Sequence, residues 1–165
     1  MMKHRGWIRL SAIILALILV FGSMGALAAS ITEKEALKIA RKEVPAKAKL
    51  VETEWDKKNK EWEFEFLTRN KKQKYEVEVS KKTGNVIEIE MELQNVGKAG
   101  KYSVKKAAAE KTVLEAFPDA TKMKIRKVTE DGSKIYRITF VTAAFKGEVK
   151  IHGENGKIIK WEKKY

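Results

Sequence analysis

Glutamate returns at every second position in four stretches of the chain: Glu52 and Glu54; Glu61, Glu63 and Glu65; Glu76 and Glu78; Glu88, Glu90 and Glu92. Two close carboxylates can do general acid–base chemistry when their surroundings split their pKa values. Several together can hold calcium, which takes roughly six to eight oxygens. A spacing of two, however, is that of a strand, which sends successive side chains to opposite faces. These carboxylates therefore share a face but are spread along it, with no pocket to desolvate one and no converging oxygens. Neither a hydrolase dyad nor a calcium site is expected. The matching positions of the second half carry the other sign: Lys124, Arg126, Arg137, Lys150 and Lys160, relieved by Glu148 and Glu162.

Charged strand faces are common solubility devices, and Lys57, Lys58, Lys71 and Lys72 stand in turns that would offset the acid. Yet like charges across neighbouring strands repel, and Glu is a poor strand former. The binding reading takes Glu61, Glu63, Glu65, Glu76 and Glu78, with Lys124, Arg126, Arg137 and Lys150, as one partner surface with opposite halves. Such a surface steers a partner of mixed charge into one orientation, or lets two molecules pair acid to base.

Other chemistry is sparse. The chain has no Cys and two His, so the usual zinc sets are not available. His152 falls by alternation on the solvent face with Glu148 and Lys150. No Gly-rich phosphate loop or serine-nucleophile motif is present; Ser30, Ser80, Ser103 and Ser133 fall at caps, strand ends or turns. The expectation is a protein that is not an enzyme and uses no cofactor or metal.

The elements that must hold these charges follow a basic start (Lys3, His4, Arg5, Arg9) and an uncharged run from Leu10 to Ala29 ending in Ala26-Leu27-Ala28. That is the pattern of a signal peptide over residues 1–28, cleaved after Ala28; a retained membrane anchor is the alternative. The protein is thus expected to be secreted or held in the cell envelope, and not to meet nucleic acid. Removing the leader leaves 32 basic against 22 acidic residues, a net of +10. Residues 31–92 hold a net of +1 and residues 93–165 a net of +9. The basic half would be drawn to anionic wall polymer or lipid head groups, with a salt-sensitive attraction.

Residues 31–92 and 102–163 share one order of elements. Thr32 and Glu35 form a capping-box pattern before Ala36, Leu37, Ile39, Ala40 and Val44, and Pro45 stops that helix. Ser103 is placed as the second cap, with Pro118 as the second stop. Strand alternation follows each time, with Trp62, Phe64 and Phe66 in one half and Tyr136, Ile138 and Phe140 in the other as apolar ribs. Trp55 and Trp161 lie nearer strand ends and are assigned to packing. The expected fold class is α+β: two tandem repeats, each one helix on a four-stranded antiparallel sheet in a cystatin-like arrangement. The expected domains are repeat 1 at 29–92, a linker at 93–101 and repeat 2 at 102–165.

Glu35-Ala36-Leu37-Lys38-Ile39-Ala40, Lys74-Tyr75-Glu76-Val77-Glu78-Val79 and Thr83-Gly84-Asn85-Val86-Ile87 resemble the PepSY domains of exported bacterial proteins. In that family the Gly belongs to a tight hairpin, in keeping with the positive φ such turns need. The resemblance covers nearly all of the chain after the leader as a tandem pair of PepSY repeats, the second looser: Gly147 stands where the first has an aromatic. The first half departs too, with Ser80-Lys81-Lys82 where the family usually has acidic residues. PepSY domains occur in propeptides that restrain secreted metallopeptidases and in regulators of wall-lytic enzymes. The resemblance implies a non-catalytic protein that binds an exported peptidase or other hydrolase and modulates it, most simply by inhibition. An adaptor held at the wall or membrane surface by its basic half is the alternative.

Overall fold

The computed structural model describes residues 30–165; the expected leader at 1–28 lies outside the described residues. The first helix, α1 (Glu33–Ala40), starts as its sequence predicts. Thr32 Oγ1 accepts from the Glu35 amide at 3.3 Å, and the Thr32 amide donates to the Glu35 carboxylate at 2.8 Å. The helix is shorter than its apolar spacing suggests, because Arg41 already caps it and Val44 lies in the turns beyond. Four strands follow: β1 (Lys49–Asp56), β2 (Glu61–Leu67), β3 (Gln73–Ser80) and β4 (Val86–Leu93). The second helix, α2 (Lys106–Ala116), precedes β5 (Thr121–Glu130), β6 (Ser133–Val141), β7 (Lys146–His152) and β8 (Ile158–Lys164). Ser103 does not cap α2. Its amide and that of Val104 donate to Gly153 O, at 2.9 and 3.0 Å, and Lys105 stands at the cap position without a side-chain bond. Among the described residues no helix is long and apolar enough to cross a membrane.

The expected fold class needs correction. The strands do not form two separate four-stranded sheets, each under its own helix. They form one eight-stranded antiparallel sheet in the order β1-β2-β3-β4-β8-β7-β6-β5, and with helices of only eight and eleven residues the described chain is mostly β. The physical reason is the edge. Strands β4 and β8 would each end a meander with a row of unpaired amide and carbonyl groups. They pair with one another instead, from Glu88 opposite Lys164 to Glu92 opposite Lys160. The two remaining edges, β1 and β5, each carry a register irregularity, at Leu50/Glu52 and Thr121/Lys124. Such bulges blunt an edge against further pairing.

One side of the sheet is apolar and packs under the helices. Around α1, Ala36 and Ala40 meet Phe64, Phe66, Val77, Val79 and Ile89. Around α2, Ala109 and Val113 meet Tyr136, Ile138, Phe140, Val149 and Ile151. Ile158 and Trp161 on β8 pack against both clusters, so the apolar layer runs unbroken across the β4–β8 seam. Trp62, expected in the rib with Phe64 and Phe66, is only half-buried near the β1 edge, its ring 4.8 Å from that of Trp55. Gly84 has φ 73°, the left-handed value its hairpin demands.

Gly147 has a different reason to be glycine. It pairs directly with Phe140, and a Cβ there would overlap the Phe140 ring, itself fixed by Phe117 and Phe145. Gly147→Ala is expected to destabilise by about 1–3 kcal/mol, the usual cost of overpacking. Urea unfolding checks this, and an unchanged midpoint would show that Phe140 is free to move aside.

Candidate interaction face

The other side of the sheet carries the charges, and the strand register arranges them in rows that cross it. The first row runs Glu54, Glu63, Glu78, Glu88, Lys164, Lys146 from β1 to β7. The second runs Glu52, Glu65, Glu76, Glu90, Glu162, Glu148, Thr139, Lys124. The third runs Lys74, Glu92, Lys160, Lys150, Arg137, Arg126. All nine residues singled out from the sequence lie on this side, but in two groups. Glu63, Glu65, Glu76 and Glu78 are neighbours on β2 and β3, with Glu61 at the end of β2 opposite Asp56 and Ser80. Lys124, Arg126, Arg137 and Lys150 lie on β5, β6 and β7.

The two groups are satisfied differently. Arg137 pairs with Glu130 and approaches Glu148 at 3.4 Å, while Lys150 Nζ lies 2.7 Å from Glu130. Burial works against ionised Glu130, but hydrogen bonds from Lys150 and Arg137 outweigh it and hold the carboxyl below its ordinary value. Among the described residues, only Lys74 comes within 4.0 Å of the acidic group, 3.0 Å from Glu65 and 4.0 Å from Glu76. The other carboxyls crowd one another. Glu78 is pushed up to about 7, by burial first and then by Glu88, Glu61, Glu63 and Glu76. Burial also raises Glu76, then Glu90 does, against partial relief from Lys74. Glu63 and Glu61 shift upward for the same reasons. Glu52, Glu54, Glu63, Glu65 and Glu76 line a shallow recess of about 150 Å³.

At the seam, oxygens of Glu88, Glu90 and Glu162 lie within 4.8 Å of one another. Lysines already serve them: Lys164 Nζ is 3.2 Å from Glu88 and 2.8 Å from Glu162, and Lys160 Nζ is 2.6 Å from Glu90. The trio is therefore a set of ion pairs across the join between the halves. Lys164 is held well above its ordinary value, chiefly by Glu162 and Glu88 against the pull of desolvation.

His152 is not a solvent-facing residue. It is 4% exposed, its Nε2 lies 2.9 Å from Gly97 O, and its Nδ1 accepts from the Glu154 amide at 3.3 Å. Residues after β4 pass over the end of β7 here, and the Ala99 amide donates to Ser133 Oγ at 3.0 Å. Alternation describes a strand's two faces and carries no sign of a distant segment laid over one. Sequence reasoning also missed Lys74, Glu130, Lys146 and Lys164. The opposite-sign residue beside each like-charged run was the available signal for Lys74 and Glu130. The register across β4–β8, which places Lys164, leaves no such trace.

Residues 30–90 match PepSY, the family described as peptidase propeptide and YPEB domain. No curated protein sequence matches the chain. Among solved structures it is similar to a predicted lipoprotein of Clostridium difficile 630, at 15% identity and TM-score 0.35, over 82% of this chain and 94% of that one. It is similar to the YpeB C-terminal domain of Bacillus megaterium, at 15% identity and TM-score 0.31, over 82% of this chain and 66% of that one. A BLIP-like protein of Bacteroides fragilis NCTC 9343 matches at 14% identity and TM-score 0.33, over 78% of this chain and 83% of that one. Likenesses this weak carry no argument about function. The family match stands by itself, on the stretch that folds as α1 and β1–β4: residues 30–90 resemble a PepSY domain.

Proposed function

We propose that this chain is an exported, non-catalytic protein that binds an extracellular or cell-wall peptidase or other hydrolase and restrains it. The observation that carries this reading is the PepSY match over residues 30–90, whose family description names peptidase propeptides. Export rests on the basic start, apolar run and Ala26-Leu27-Ala28 of the sequence. The acidic part of the open face suits the docking role. Its carboxylates are held by the sheet, crowd one another, and gain most from a partner that brings positive charge.

Purified residues 29–165 are expected to slow hydrolysis by exported enzymes of the parent culture, measured on protein and cell-wall substrates. The double substitution E63K and E65K is expected to weaken that effect about tenfold or more. Hydrolysis rates unaffected by the protein at every salt strength tried would reject the reading.

A further inference from the structure

Two sets of charges on the open face are left without partners inside the molecule. Among the described residues, Glu52, Glu54, Glu63 and Glu78 have no cation within 4.0 Å, and Lys124, Arg126 and Lys146 have no carboxylate within that distance. Between them the β4–β8 seam carries lysines of its own, Lys160 beside Glu90 and Lys164 beside Glu88 and Glu162. Strands sit ~4.8 Å apart, so β2 and β5, six steps from one another, are separated by roughly 29 Å. The Debye length at physiological salt is ~8 Å. The acid on β2 and the base on β5 therefore do nothing for one another within one copy.

We propose that this face is a docking surface for a second copy of the chain. A half-turn about an axis in the plane between two facing sheets, parallel to the strands at the seam, brings two open faces together as a closed, self-complementary pair. It lays β1, β2 and β3 of each copy over β5, β6 and β7 of the other. By register, Glu52 then stands opposite Lys124, and Glu78 opposite Lys146. Like charges also meet: Glu90 faces Glu162, Glu76 faces Glu148 and Lys74 faces Lys150, but each of these six has an ion-pair partner in its own copy, whereas Arg126 falls opposite Lys49 and gains nothing. A half-turn about the perpendicular in-plane axis sets acid on acid, so charge selects one orientation. A partner of one sign meets repulsion from half of the face; a partner carrying both signs in this order suits both halves, and the chain itself is one. This goes beyond hydrolase binding and draws on the same surface.

Sedimentation velocity of the purified protein at about 0.3 mM is expected to give the dimer mass near physiological salt and the monomer mass in about 1 M salt. A carbodiimide, which joins touching carboxylates and amines directly, is expected to link Glu52 of one copy to Lys124 of another. The double variants E52K with E78K and K124E with K146E should each raise the dissociation constant about tenfold or more. Mixing the two variants in equal amounts should restore a dimer, because each reversed half then faces its opposite. A monomer at every salt strength overturns the proposal, as does a dimer that survives both variants or cross-links that lie elsewhere. If a variant fails to fold, the cross-links of the unaltered protein decide. A monomer that still restrains a hydrolase would reject self-pairing and leave the functional reading standing.

Discussion

Trp161→Ala is expected to cost about 3 kcal/mol and to lower the thermal midpoint by roughly 10 °C, a large effect for a side chain that is not fully buried. The reason is its place. On β8 it sits opposite Met91 of β4 and Val149 of β7, and it packs against both apolar clusters. Its ring lies 6.2 Å from that of Tyr75 and 6.4 Å from that of Phe117, edge-on to each. Truncation opens a cavity at the seam and removes the aromatic link between the halves. Trp55→Ala is the control: Trp55 lies on the edge strand and packs against Trp62 with the rings tilted by 48°, so its loss should cost about 1 kcal/mol. Denaturant unfolding of both variants checks the difference. A Trp161→Ala cost below about 1 kcal/mol would mean that the two clusters do not depend on each other.

The same residue marks the limit of what strand alternation encodes. Its apolar character assigns Trp161 to packing, and it does pack. What the alternation of Trp161 with Lys160 and Glu162 could not state is which strand lies on the far side of β8. A period of two reports faces, not neighbours. The α1 capping box and the Gly84 turn were legible because Thr32 with Glu35, and Gly84 with its flanks, decide those structures within a few residues. Ser103 misled because its backbone bonds to Gly153, fifty residues away, so α2 begins later without its help. The opposite signs of the two half-faces were legible from alternation. The pairing of Glu130 with Arg137 and Lys150 was not, since Glu130 sits at the end of β5 and reaches back across the hairpin.

The crowded carboxylates make stability fall as the medium turns from mildly acidic to mildly alkaline, opposite to what paired carboxylates do. For Glu78 the folded value of about 7 lies above the ordinary value of 4.5, so between those limits the folded chain holds a proton that the unfolded chain has released. Where the folded state binds more protons, raising the pH favours unfolding. The contribution is whole below about pH 4.5 and gone above about pH 7. Discounted for solvent screening of a side chain open on one side, it amounts to about 1–2 kcal/mol. Glu61, Glu63, Glu76 and Glu88 shift in the same direction and add to it. Glu35 and Glu130 shift the other way, and their help fades only as the medium falls through the ordinary carboxylate range and below. Stability is therefore expected to peak near pH 5 and to be about 2 kcal/mol lower at pH 8. Glu78→Gln should flatten that fall by about half and raise stability at pH 8, because the amide keeps the shape and drops the charge. Urea titrations of both proteins at several pH values test it; a profile that rises from pH 5 to pH 8, or one that Glu78→Gln leaves unchanged, would show that these carboxylates are relieved by something other than protons.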